Sequence, residues 1–302
     1  MEDININLNK IKRLKIEMDN IDSQPNFSKV FQVELSPGVG MGTIPFKSVP
    51  GGVLSEDIIR KNLLFCFNIN NNYVIKNHDL FEYINNFKSL RFLYIENVNF
   101  KKDFIIKLKK LKVLSIKSCR NIQLSGINDN LKELYLSNDE ISDMNLLKKM
   151  NCRELNILDL SNNKISDIYF LEKVNFKELN LCHNKISDIN VLEKVNFKEL
   201  KELNLSYNEI SDISILEKVN FKELKKLDLR SNQISDINFL EKVNFKGLNK
   251  FDLSYNKISD INILEKVNFK ELKELNLYCN KISNSNIKKS KFYRNNDPIF
   301  KS

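Results

Sequence analysis

Residues 224–280 read L-K-K-L-D-L-R-S-N-Q-I-S-D-I-N-F-L-E-K-V-N-F-K-G (224–247), L-N-K-F-D-L-S-Y-N-K-I-S-D-I-N-I-L-E-K-V-N-F-K-E (248–271), then L-K-E-L-N-L-Y-C-N (272–280). One phrase returns with a period of 24 residues. Self-similarity at such a period makes each repeat a single supersecondary unit, able to bury its apolar face only against its neighbours. The rest of the chain therefore extends or ends a stack.

Taking the first Leu of L-x-x-L-x-L as origin, repeats begin at Leu90, Leu111, Leu131, Leu155, Phe176, Leu200, Leu224, Leu248 and Leu272. The spacings are 21, 20, 24, 21, 24, 24, 24 and 24 residues. In the 21-residue unit that starts at Leu155, Phe176 serves both as that unit's closing Phe and as the next unit's first position. Such losses belong on the side away from the strands, because stacked strands about 4.8 Å apart must keep register.

Within a repeat, Leu203 and Leu205 alternate as a short strand requires, which predicts both in the core and Glu202, Asn204 and Ser206 on the opposite face. After the strand comes Asn208, recurring as Asn163, Asn184, Asn232, Asn256 and Asn280, with Cys119 and Asp139 at the earlier equivalents. A side-chain amide offers both donor and acceptor, which suits a turn buried between repeats. Ile210, Ile213, Leu216, Val219 and Phe221 then form the outer apolar layer around a brief helix, with Ser211 or Asp212 as its cap and Lys218 favourable near its end.

The pattern L-x-x-L-x-L-x-x-N-x-I-S-D-I-x-x-L resembles leucine-rich repeat proteins, especially the short-repeat subclass that includes internalins and a regulatory subunit of type-1 protein phosphatase. The resemblance covers about residues 86–284, with a unit two residues longer than is usual in that subclass. It implies an α/β leucine-rich repeat solenoid, with a curved parallel β-sheet on the concave side and short helices and turns on the convex side. It also implies that the concave face is the binding surface, whose residues vary with the partner. Phosphatase binding is not carried over.

Three regions follow: an atypical N-terminal cap region over 1–85, the array over 86–284, and a basic tail over 285–302. Residues 11–21 repeat the apolar spacing of 131–141, as a degenerate repeat or a capping strand. Residues 37–52 hold five of the seven glycines and three of the five prolines and read as a loop; they lack the Gly-Lys-Ser/Thr of a phosphate-binding loop. A short helix is expected over 79–85, and no helical pattern in 1–86 is long enough for a ubiquitin-ligase adaptor module.

The net charge of +9 is uneven. Residues 154–280 carry 19 Lys/Arg against 21 Asp/Glu, whereas 91–120 carry 9 against 2 and 281–302 carry 6 against 1. Basic clusters at 101–117 and 288–294 give the alternative partners, nucleic acid or an anionic membrane. Five cysteines without C-x-x-C spacing, and two histidines away from any cysteine pair, imply no metal site and a reducing compartment. Neither a signal peptide nor a membrane-length apolar run is evident, so a cytoplasmic location is expected.

The expected function is non-catalytic binding of a protein partner by a monomeric scaffold, without a cofactor. Asp159, Asn180, Asn204, Asp228, Asp252 and Asn276 form one polar row along the expected concave face, flanked by Lys226 and Lys250 and by Arg230. His183, Tyr207 and Tyr255 form a ring beside it, with Tyr278 on the last strand. Tyr and Arg dominate binding hot spots because each joins a large contact area to a polar handle. Tyr207, Arg230 and Tyr255 are the predicted centre, with His183, Asp159, Lys226, Asp228, Lys250 and Asp252 around them. The carboxylates lie in an open groove rather than a closed apolar pocket, and Cys182 beside His183 is the one adjacent nucleophile–base pair, which argues against catalysis.

Overall fold

A computed structural model describes residues 91–96, 108–119, 130–138, 140–142, 147, 154–195, 197–243, 245–267 and 270–283, together with backbone strands at 13–16, 32–34, 42–43 and 300–301. The loop over 37–52 apart from its strand, the helix expected over 79–85, Lys101, Lys102 and Lys107 of the first basic cluster, and the cluster at 288–294 lie outside the described residues. The chain forms two units, residues 1–139 with 149–154, and residues 140–148 with 155–302.

In the first unit, β1 (Arg13–Ile16), β4 (Phe92–Glu96), β5 (Val113–Lys117) and β6 (Glu133–Ser137) run parallel, with β2 (Gln32–Glu34) and β3 (Gly42–Thr43) added antiparallel beyond β1. Leu14 is registered with Leu93, Leu93 with Leu114, and Leu114 with Leu134. The spacing read in residues 11–21 is thus that of a strand in register with the array. Leu93, Leu114, Ile116, Leu134 and Leu136 are buried, as the L-x-L alternation requires.

The second unit stacks β7 (Ile157–Asp159), β8 (Glu178–Asn180), β9 (Glu202–Asn204), β10 (Lys226–Asp228), β11 (Lys250–Asp252) and β12 (Glu274–Asn276) in parallel. Each strand begins two residues after a sequence-assigned repeat origin, so the 21- and 24-residue units keep one register. Leu158, Leu179, Leu203, Leu227, Phe251 and Leu275 are paired in turn across the strands, and all are buried. A further strand, β13 (Phe300–Lys301), pairs parallel with β12, within the segment expected to be tail.

The outer layer differs from expectation in kind. The brief helices are 3-10 turns of four or five residues, at Tyr169–Lys173, Asn190–Glu193, Ser214–Glu217, Asn238–Glu241 and Asn262–Glu265. A repeat this short leaves room for one turn, and the tighter i→i+3 bonding spans it with fewer residues. Neither Ser211 nor Asp212 is the N-cap, which is Ile213 and makes no side-chain capping bond; Asp212 precedes it, its Oδ1 accepting from the Ser214 amide at 2.8 Å, and Asp167, Asp188, Asp236 and Asp260 do the same in their repeats. That hydrogen bond holds the Asp212 carboxyl below its usual pKa. Lys218 does not serve a helix dipole; its ammonium lies 3.4 Å from Glu193 in the preceding repeat, as Lys242 lies 3.1 Å from Glu217. Behind this layer, the Phe176 ring meets Phe197 tilted at 55° with centroids 5.8 Å apart, and Phe197 stacks on Phe221 at 6.1 Å. Phe176 therefore fills both columns assigned to it.

The asparagine ladder ties each repeat to the one before. Asn232 Nδ2 donates to Leu229 O at 3.1 Å, Arg230 O at 3.3 Å and, one repeat back, Leu205 O at 3.0 Å. Its Oδ1 accepts from the Ile210 amide at 3.0 Å. Asn184, Asn208 and Asn256 repeat this set, and the side chains are buried. At the earlier equivalent position Cys119 is buried, its Sγ donating to Lys117 O at 3.3 Å.

One departure from the repeat gives a test of these contacts. The residue before the repeat origin is Glu199, Glu223 and Glu271 in neighbouring units but Gly247 in this one. In this position Glu154 pairs with Lys132, and Glu199 with Lys177 at 3.6 Å. A Cβ on Gly247 would meet the Lys225 ammonium at 2.7 Å, the free end of a flexible side chain that can swing aside. Gly247→Glu places a carboxylate opposite Lys225 and removes glycine's excess freedom in the unfolded chain, so we expect stabilisation of about 1 kcal/mol. Urea denaturation of the variant measures it.

Candidate functional site

The sheet surface of the second unit presents four parallel columns of side chains. The first runs Glu178, Glu202, Lys226, Lys250 and Glu274, one residue per strand. Lys226 and Lys250 are register partners, like charges side by side, and each turns away to a carboxylate. Lys226 meets Glu202 at 2.5 Å and Lys250 meets Glu274 at 2.8 Å, which raises the Lys250 pKa. These two predicted partner-binding lysines are thus neutralised within the face.

The second column is the predicted polar row, and its first task is local. Asp159, Asn180, Asn204, Asp228, Asp252 and Asn276 each use Oδ1 to accept the backbone amide two residues on, at 2.8–3.1 Å. This Asx turn leads the chain out of the strand. Asn180 also donates to Asp159 Oδ2, and Asn276 to Asp252 Oδ2, both at 3.0 Å. Asp159, Asp228 and Asp252 are half-buried, so they form the floor of the face rather than its contact layer.

Asp228 and Asp252 face each other in register with no amide between them. Burial, then the Asp252 charge, pushes the Asp228 carboxyl pKa up, against the Arg230 amide and guanidinium. An acid with a raised folded pKa binds its proton more tightly when folded, so its ionisation penalty is absent below the unfolded pKa and complete above the folded one. Asp228→Asn keeps the acceptor for Arg230 N and supplies a donor toward Asp252, as Asn276 does. The variant should be more stable than the parent at neutral pH, with the advantage vanishing as pH falls below the ordinary carboxylate range; thermal unfolding from pH 7 to pH 3 reads the sign.

In the third column, Ser161, Cys182, Ser206 and Ser254 are small, whereas Arg230 and Tyr278 are large. Strand alternation predicts Ser206 facing outward with Glu202 and Asn204. It lies on that face, its Oγ 2.7 Å from Asn204 Oδ1, and is buried there rather than exposed. Cys182 is half-buried, and burial together with Asp159 and Asp228 pushes its thiol pKa up, away from an activated nucleophile. The Cys182–His183 neighbourhood is a turn, not a reactive pair.

The fourth column has a backbone feature that the residue types alone do not announce. Its residues precede the ladder asparagine, and every one has left-handed φ: Asn162 at 56°, His183 at 53°, Tyr207 at 54°, Ser231 at 54°, Tyr255 at 54° and Cys279 at 52°. Asparagine and histidine suit this region, as in Asn138, Asn162 and His183, but bulky residues strain it at a cost of order 1–3 kcal/mol. Tyr207 and Tyr255 hold it nonetheless.

These aromatics gather around Arg230. The His183 and Tyr207 rings stack at 4.0 Å and 10°. Arg230 lies over Tyr207 with Cζ 5.1 Å from the ring centroid. Tyr255 and Tyr278 meet edge to face at 5.6 Å and 75°. Tyr207, Tyr255 and Tyr278 are 39, 51 and 45% exposed, among the most exposed large apolar side chains described. Cys279 sits beside both Tyr255 and Tyr278 and pushes both phenol pKa values up. Of the predicted site, Tyr207, Arg230, Tyr255 and His183 therefore come together at the surface, and Tyr278 with Cys279 completes the patch. Asp159, Asp228, Asp252, Lys226 and Lys250 are engaged within the sheet.

Leucine Rich repeat models match residues 174–218, 198–242 and 151–168. No curated protein matches the chain. Among solved structures, an internalin (inlF) from Listeria monocytogenes aligns with TM-score 0.49 and 25% identity, over 67% of this chain and 65% of its own. Internalin C2 (inlC2) of the same organism aligns with TM-score 0.50 and 25% identity, over 57% of this chain and 75% of its own. The chain thus spans just under two thirds of the first of these internalins. No helix among the described residues is long and apolar enough to cross a membrane.

Proposed function

We propose that this leucine-rich repeat protein is a non-catalytic scaffold that binds a protein partner through the sheet face of its second unit, centred on Tyr207, Arg230 and Tyr255. The observation that carries the reading is the fourth column. Aromatic side chains stand exposed on backbone that disfavours them, while the same position accepts Asn or Ser in other repeats. Strain of this kind is retained where the side chain has a use. A second support is that the patch joins rigid rings to a stacked guanidinium, the composition of hot spots.

The alternative partners, nucleic acid or an anionic membrane, rest on basic clusters that lie mainly outside the described residues, and a ubiquitin-ligase adaptor role rests on 1–85, of which the structure describes only backbone strands. Capture of binding proteins by the full chain, at low and high salt and with nuclease, separates these readings. A protein retained at high salt after nuclease treatment, and competed away by antibody fragments directed to Tyr207 and Tyr255, is the expected result. Nucleic acid released by modest salt would overturn it.

A further inference from the structure

We propose that the partner seats a single acidic side chain, Asp or Glu, on the Arg230 guanidinium, with aliphatic or aromatic neighbours covering Tyr207 and Tyr255. The inference rests on the sheet-face reading above and names what that face recognises. Arg230 stands in a column that otherwise carries Ser161, Cys182, Ser206, Ser254 and Tyr278, so the repeat does not require a cation there. The lysines of the same face are neutralised by Glu202 and Glu274, whereas Arg230 has no ion-pair partner among the described residues. Its Nε is buried without an acceptor, so internal hydrogen bonds do not fix the side chain.

Stacking fixes it instead. Tyr207 is held against His183, and Arg230 lies over the Tyr207 ring. A guanidinium so placed offers a planar fork of donors, which matches a carboxylate better than a point charge does. The neighbouring carboxylates do not occupy that fork: Asp228 Oδ1 accepts the Arg230 amide, and Asp252 is taken by the Ser254 amide and by Asn276. They limit the ligand all the same. Asp228, which accepts the Arg230 amide, and its register partner Asp252 place negative charge beside the position, so one carboxylate between apolar residues fits, and an acidic run or a phosphate dianion is repelled.

The test uses a library of random 12-residue peptides selected on the full chain. Selected peptides are expected to share one Asp or Glu flanked by large apolar residues, and to bind Arg230→Gln at least tenfold more weakly than wild type. Arg230→Lys should fall between them. Replacing the peptide's acidic residue with its amide should cost about the same factor on wild type and almost nothing further on Arg230→Gln, the non-additivity of a direct pair. Circular dichroism confirms that each variant is folded. Peptides that depend on Tyr207 and Tyr255 but lack an acidic residue, carry phosphate in its place, or ignore Arg230→Gln, overturn the carboxylate inference and leave the sheet-face reading standing. Failure to select any peptide sensitive to Tyr207→Ser or Tyr255→Ser overturns both.

Discussion

Asn232→Ala is expected to lower the stability of the second unit by about 3–4 kcal/mol. The side chain is buried and donates to Leu205, Leu229 and Arg230 carbonyls while accepting from the Ile210 amide. Alanine removes all four contacts and leaves backbone groups orphaned between two repeats, where water has no ready access. Because each repeat leans on its neighbours, the loss is felt across the interface rather than at one turn. Asn232→Asp keeps the shape and the acceptor but points a carboxylate at three carbonyls, so at neutral pH it should cost at least as much and recover in part as acid protonates it. Gln233→Ala, one residue on and exposed, should change stability by less than about 0.5 kcal/mol. Urea denaturation of the three variants decides the matter; an Asn232→Ala cost near that of Gln233→Ala would mean that the ladder does not hold the stack.

The triple variant Tyr207→Ser, Arg230→Ser, Tyr255→Ser should weaken partner binding by more than about a hundredfold, since truncation of two or three central hot-spot residues removes several kcal/mol. Folding should survive, because each replacement is borrowed from an adjacent repeat. Serine already occupies the Arg230 column at Ser206 and Ser254, and the left-handed column at Ser231. Serine also lightens the steric load on the strained backbone. Unchanged denaturation midpoints with lost binding would separate recognition from scaffold. Binding retained by the folded triple variant would mean that the patch is not the recognition surface.

The layout of the array was legible because each position of the phrase answers one physical demand. Leu203 and Leu205 needed burial on one side of a strand and Asn208 needed to satisfy a buried turn, and the structure places them so; Asp212 bonds the first turn from one residue before its N-cap, Ile213. Ser206 follows the same alternation but is buried on the sheet face, where its hydroxyl bonds Asn204, a contact that the strand period alone does not announce. The 3-10 character of the outer turns was hidden because apolar spacing over four residues does not separate i→i+3 from i→i+4 bonding. Lys226 and Lys250 looked free because their partners lie 24 residues away, on neighbouring strands.

The aromatic ring at His183, Tyr207 and Tyr255 was legible as a row of residue types but not as one held on left-handed backbone. A signal did exist: the same position reads Asn138 and Asn162 in other repeats, and asparagine there, followed by the ladder residue, is a left-handed turn signature. Tyr278 stands beside this ring in the sequence reading, whereas Cys279 enters the patch only through its proximity to Tyr255 and Tyr278, which no single-repeat reading could supply.

The most direct measurement of partner binding at the sheet face is site-specific photo-crosslinking from a benzophenone side chain introduced in turn at Tyr255 on that face and at Asn238 on the exposed 3-10 turn. A partner adduct is predicted from position 255 and none from position 238. Adducts from 238 alone would contradict recognition through the sheet and move it to the opposite side of the repeats.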